Sequence, residues 1–165
     1  MSERIPVEKC WEITARNLTG ALTGYVIVLS RVVGREKLSE ITSKMWGEGG
    51  RNFIPVVKEA FNIPVEDAAG AGKLIAVATI LGMGPEMEQR IVEETANRTV
   101  IRTTKCTFHE RQKEFGIVGE VDCAIPDAAW CNEGLKAVNP NLKVTITKAL
   151  SRGDPYCEHV IEIVE

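Results

Sequence analysis

The hydrophobic pattern of this chain changes period at Gly82-Met83-Gly84-Pro85. Before that point apolar residues recur every three or four positions, the spacing of one helix face. After it they tend to alternate, the spacing of a half-buried strand. Strands that begin only after a long helical run and then recur in alternating pairs predict an α+β fold, with a helical N-terminal half packed on a C-terminal antiparallel sheet. The 165 residues suit a single domain that buries its own core without disulfide or metal staples. We expect residues 1–82 to be mainly helical and residues 86–165 to hold the sheet.

Pro6 suits a first helical turn, where its missing N–H would be unpaired anyway. The stripe Leu18, Leu22, Tyr25, Val26, Leu29 and Val33 predicts a helix over Val7–Val33, capped by Gly34. Leu38, Ile41, Met45 and Trp46 predict a second over Arg35–Trp46, ended by Gly47, Gly49 and Gly50. A short helix over Asn52–Phe61 should then stop before Pro64. The stretch Glu66–Leu81 is rich in Gly and Ala, which reads as a helix packed tightly on a neighbour.

Strands are expected over Glu88–Thr95 and Arg98–Cys106, with Val100, Arg102, Thr104 and Cys106 on one face. His109–Phe115 reads as a short helix closed by Gly116, and Asp127 as the N-cap of a helix reaching Val138. Leu142–Leu150 and Tyr156–Val164 alternate again, the last placing Cys157 and His159 on the face of Ile161 and Ile163.

A formal net charge of −3 and scattered Lys and Arg argue against nucleic acid as a partner. The start, Met1-Ser2-Glu3-Arg4-Ile5-Pro6, does not read as a secretory signal. The most apolar window, Leu18–Val33, is interrupted by Thr19, Gly20, Thr23, Gly24, Ser30 and Arg31, too polar to span a bilayer. A soluble, cytoplasmic protein without membrane contact is expected, where five cysteines would be thiols or metal ligands rather than disulfides.

Four of those cysteines and both histidines lie between Cys106 and His159. Thiolates and imidazoles bind borderline-soft metals or act as nucleophile and base at neutral pH. Cys106, His109, Cys123, Cys157 and His159 are therefore candidate metal ligands, for zinc, another transition metal or an iron–sulfur cluster. Without a metal, Cys106 and His109 could be nucleophile and base, with Asp127 or Glu110 as orienting group or proton shuttle. Asp127 could equally be only a cap. Cys10 and Cys131 read as small core residues, since free cysteine is among the most buried residue types.

Thr104-Lys105-Cys106-Thr107-Phe108-His109-Glu110, Asp122-Cys123, Asp127-Ala128-Ala129-Trp130, Asn139-Pro140-Asn141-Leu142 and Gly153-Asp154-Pro155-Tyr156-Cys157-Glu158 together resemble the L-2-amino-thiazoline-4-carboxylic acid hydrolase family over residues 95–165. More distantly, Gly153-Asp154 followed by Cys157 is similar to the 4-vinyl reductase domain, a small-molecule-binding module. The first resemblance implies a hydrolase that opens a C=N/C–S ring to a carbamoyl-cysteine product. Cys106, His109, Cys123, Asp127 and Cys157 fall on its motif positions. His159 departs from it, standing where a large apolar residue is expected, and makes a metal site more plausible. The leading expectation is a small-molecule hydrolase acting on C–N bonds of a small cyclic substrate. The alternatives are a non-catalytic sensor or carrier domain, for which a homodimer through the long N-terminal helices would suit, and an iron–sulfur or redox protein.

Overall fold

Gly34 separates two long helices by a single residue. Its φ of 79° is easily adopted only without a side chain, and its N–H closes the end of the first helix on the Ser30 carbonyl at 3.0 Å. The computed structural model describes residues 6–164. Helix α1 spans Val7–Val33, α2 Arg35–Ala60 and α3 Ala68–Met83. Strands β1 (Glu88–Glu94) and β2 (Arg98–Lys105) form a hairpin, followed by helices α4 (Thr107–Glu114) and α5 (Ala124–Lys136). Strand β3 (Leu142–Lys148), a 3-10 turn over Leu150–Arg152 and β4 (Cys157–Ile163) complete the described residues. The four strands run in the order β1-β2-β4-β3 with every pair antiparallel. Fold class and the position of the helix-to-strand change follow the hydrophobic period.

Helix α2 corrects an expectation. Gly47, Gly49 and Gly50 do not end it, and Pro55 lies inside it. Glycine costs a helix about 1 kcal/mol and an interior proline about 3 kcal/mol relative to alanine, so packing must outweigh propensity here. Gly50 lies against the Trp130 backbone of α5, where a Cβ would overlap the Trp130 carbonyl. In return, Gly134 of α5 lies against Ile54 of α2, whose side chain a Cβ would likewise meet. The helices thus approach almost to backbone contact, through glycines whose local preference is to break them.

The small residues of α3 do the same on the sheet. Gly72 rests against the Thr99 side chain of β2, and Ala68, Ala71, Leu74, Ile75 and Ala78 are buried. Asp67 caps this helix by accepting the Gly70 N–H at 2.8 Å. Its last turn, through Thr79, Gly82 and Met83, instead borders open space. The core lies between these helices and one sheet face, with Ile54, Leu74, Ile101, Leu135, Val144 and Ile161 at its centre.

Three smaller expectations are also corrected. Helix α5 starts at Ala124, not after Asp127: Cys123 takes the N-cap position and Asp122 accepts the Ala124 N–H at 3.0 Å. Pro126 is tolerated because it stays in the first turn. Cys106 is outside β2, in the N-cap position of α4, so it no longer follows the alternation of Val100, Arg102 and Thr104. Cys10 is exposed on α1 rather than part of the core. No described helix is long and apolar enough to cross a membrane.

Candidate functional site

Three short segments far apart in sequence converge at one end of the core. Helix α5 contributes Cys123, Asp127 and Cys131, spaced four apart and therefore along one face. Strand β4 contributes Cys157 and His159, which alternation turns toward the helices, as the burial of Ile161 confirms. The register places His159 between Ile101 of β2 and Ile146 of β3, and Cys157 opposite Thr103. Cys106 enters from the turn between β2 and α4. Cys106, Cys123, Asp127, Cys157 and His159 line one small chamber of about 40 Å³, together with Trp46, Met83 and their neighbours.

Asp127 is the hub of this chamber. Its Oδ2 lies 2.9 Å from His159 Nε2, and its Oδ1 accepts a long contact from the Cys131 thiol at 3.8 Å. The ring is buried, with 8% of the residue exposed, and Nδ1 has no hydrogen-bonding partner. Burial is the strongest influence on this imidazole and pulls its pKa down. The charge and hydrogen bond of Asp127 together outweigh it, so the net direction is upward.

The thiols are held protonated. Burial pushes Cys106, Cys123 and Cys157 up to about 12, and Cys131 well above its ordinary value. Their proximity adds to this: Cys157 and Asp127 disfavour a thiolate at Cys106, Cys106 and Asp127 at Cys123, and Cys123 and Asp127 at Cys157. Without a metal, the chamber is lined at neutral pH by three S–H groups, those of Cys106, Cys123 and Cys157, rather than an activated thiolate. One carboxylate oxygen, the Cys131 sulfur and one His159 nitrogen lie within 4.8 Å of one another, the set that could hold a metal ion.

Above the chamber is a second cavity of about 380 Å³, walled by Leu22, Met45, Trp46, Phe53, Met83 and Trp130. The two share Trp46, Thr79, Met83 and Asp127 as lining residues, so the apolar cavity ends on the Asp127 carboxylate. Larger hollows of about 540 and 590 Å³ lie elsewhere, bordered by charged residues such as Arg35 and Glu36 or Lys44 and Arg51, and contain none of the thiols.

His109 and Glu110 do not line the chamber. Phe108 meets Trp46 edge-on, with ring centroids 5.8 Å apart, and this fixes the rotation of α4. His109, one residue on, is buried elsewhere on the helix; burial, reinforced by Lys113, lowers its pKa. Glu110 accepts a 2.8 Å bond from Lys113, which lowers its pKa in turn. Cys131, read from the sequence as packing, sits against Asp127. The four-residue spacing of Cys123, Asp127 and Cys131 was the available signal. Trp130 was signalled only as the end of the Asp127-Ala128-Ala129-Trp130 segment, and Trp46 not at all, since their place depends on how α2 crosses α5.

The model of the L-2-amino-thiazoline-4-carboxylic acid hydrolase family matches residues 15–160, nearly the whole chain and every residue of the chamber. The chain belongs to this family. No curated protein matches the sequence. Among solved structures, the phenol-responsive sensory domain of the transcription activator PoxR, crystallised with phenol, superposes with a TM-score of 0.67 at 12% identity, over 88% of this chain and 74% of that one. Subunit 3 of a trafficking protein particle complex from Naegleria fowleri, covalently bound to palmitic acid, gives 0.65 at 13% identity, over 93% and 96%. At such identities these likenesses show that this hydrolase-family member shares their fold.

Proposed function

We propose that this family member is a small-molecule hydrolase in which His159, positioned by Asp127, activates water. The observation that carries this reading is the 2.9 Å contact of His159 Nε2 with Asp127, which leaves Nδ1 without a partner on a buried ring. With Nε2–H donated to the carboxylate, Nδ1 bears the lone pair and can accept a proton. A chamber of about 40 Å³ has room for one water. In the reaction, the water oxygen bonds to the ring carbon between nitrogen and sulfur while Nδ1 takes a proton from it. The C=N π electrons pass to the ring nitrogen, which takes the second proton of the water as the carbonyl forms. The C–S bond breaks, and the sulfur leaves with the proton from Nδ1 as a free thiol. Asp127 stabilises the imidazolium formed in between. The neutral thiols of Cys106, Cys123 and Cys157 keep further negative charge away from the attacking water.

The test is turnover of 2-amino-2-thiazolines by the purified protein, followed as ring-opened thiol by mass spectrometry. Hydrolysis that is lost in His159→Gln supports the reading, and hydrolysis unaffected by that change defeats it.

A second reading, a binding module without turnover, is favoured by the apolar cavity and the protonated thiols. Phenol and palmitic acid are bound in two of the solved structures that share this fold. The exposed apolar face of α1, including Tyr25, Val28 and Val32, would suit a homodimer of such a module. Saturable binding with no product over many hours would favour it.

A further inference from the structure

We infer that a second copy of this chain docks along the free face of α1 and covers the mouth of the apolar cavity, so that the site is closed only in a homodimer. The inference goes beyond the hydrolase reading and needs no turnover. Helix α1 holds the body of the protein through Ala15, Thr19 and Thr23, its only buried residues. From residue 24 to residue 37, across Gly34, no side chain is buried, although seven of these positions hold Tyr, Val, Ile or Leu. Leu18, Leu22, Tyr25, Leu29 and Val32 are all exposed and follow one another in steps of four and three. That is the a/d spacing of a coiled-coil seam, a stripe that only another helix fills.

Charge and area commit this seam to a like helix. Residues 17–30 carry no formal charge, so two copies of the face meet without repulsion or an unpaired ion. A membrane surface would call for Lys and Arg along the flank of the stripe, whereas that flank is held against the body through Thr19 and Thr23. Tyr25 and Val32 are 68% and 76% exposed. With the other exposed apolar residues of the helix they offer on the order of 600–700 Å², near the roughly 800 Å² that each side of a standard stable interface buries. The seam also meets the site. Leu22 belongs to it and lines the cavity of about 380 Å³, as does the exposed Met45. A helix laid on Leu22 therefore crosses the side where the cavity reaches solvent, with Trp46 and Trp130 behind it.

Sedimentation equilibrium of the intact protein tests the dimer, and acrylamide quenching of tryptophan fluorescence tests the closure. The mass should be twice the chain's 18.1 kDa. Tyr25→Glu and Leu29→Glu should each weaken the dimer at least about hundredfold, because each puts an unpaired carboxylate in the seam. Val92→Glu, at an exposed apolar residue of β1, should leave it intact. Trp11 faces a different hollow and is replaced by Phe for the quenching. Dilution of that protein to monomer should raise the quenching constant of Trp46 and Trp130 at least about twofold, with an unchanged circular-dichroism spectrum. This comparison needs no substitution in the seam. A monomer at every concentration, or a dimer untouched by both Glu variants, would overturn the inference. A monomer that floats with phosphatidylcholine–phosphatidylglycerol vesicles would overturn it too, by giving the face to a membrane. Equal quenching in monomer and dimer would overturn the closure of the site.

Discussion

Nε2 of His159 lies 2.9 Å from Oδ2 of Asp127, joining strand β4 to helix α5 across thirty-two residues of sequence. If Nδ1 is the base, His159→Gln should lower kcat by about 10²–10⁴-fold, the usual contribution of a positioned general base. Asp127→Asn should lower it less, and His109→Asn hardly at all. The base must be neutral to act. In the wild type the rate should therefore rise with pH through the raised His159 value, and in Asp127→Asn the inflection should move to lower pH. The pair acts oppositely on stability. A histidine raised above 6.5 in the folded state contributes stability that is fully present below pH 6.5 and lost as pH rises through the raised value. Rate–pH profiles and urea titrations of the two proteins check both signs.

The buried thiols predict an alkaline weakness. Cys106, Cys123 and Cys157 ionise near 12 in the folded protein against an ordinary value of 9.0. Their contribution is complete below pH 9.0 and is lost as pH rises toward 12. Each thiol that stays protonated in the fold should take up to about 1.4 kcal/mol per pH unit from the unfolding free energy. Urea midpoints between pH 8 and pH 10.5 should fall steeply, and less steeply in Cys106→Ser. At pH 8 the exposed Cys10 should react with iodoacetamide well before the other four, as peptide mass mapping would show.

Zinc added to metal-free protein should bind more tightly at pH 8 than at pH 6, because a ligating thiol must first give up its proton. The expected gain is about tenfold per pH unit for each thiol displaced. Cys131→Ser and His159→Gln should weaken that binding if Asp127, Cys131 and His159 form the site. Competition against a chromophoric chelator measures it. Elemental analysis and a visible spectrum of anaerobically purified protein separate zinc from iron or an iron–sulfur cluster.

Three glycine-to-alanine changes should differ in sign. A Cβ at Gly50 or Gly134 has no room between α2 and α5. Gly50→Ala and Gly134→Ala should each cost about 1–3 kcal/mol despite the better helix propensity of alanine. Nothing lies within 4 Å of a Cβ at Gly20 in α1, so Gly20→Ala should stabilise by about 0.5–1 kcal/mol. Denaturant unfolding of the three variants tests this.

Much of the architecture was legible because it depends on local periodicity. The bounds of α1 follow from one apolar stripe, the hairpin of β1 and β2 from alternation around Ala96-Asn97, and the class from the order of helices and strands. The misreading at α2 has a clear source. Local propensity says that glycine and proline end helices, while the decisive contact, Gly50 against Trp130, is long-range and invisible to a local rule.

For the candidate site, the sequence by itself determined the chemical vocabulary: several thiols, two imidazoles and nearby carboxylates in the last third of the chain, with a residue pattern shared with one hydrolase family. It also determined that Cys157 and His159 point the same way, since a strand leaves no other choice. Only the tertiary structure decided which groups meet. Helix rotation is set by side-chain packing: Phe108 against Trp46 leaves His109 outside the chamber, while the face of α5 that packs on the sheet brings Asp127 to His159 and Cys131 to Asp127. Such contacts depend on how whole elements dock, and docking is governed by shape and burial summed over many residues, which no single motif encodes.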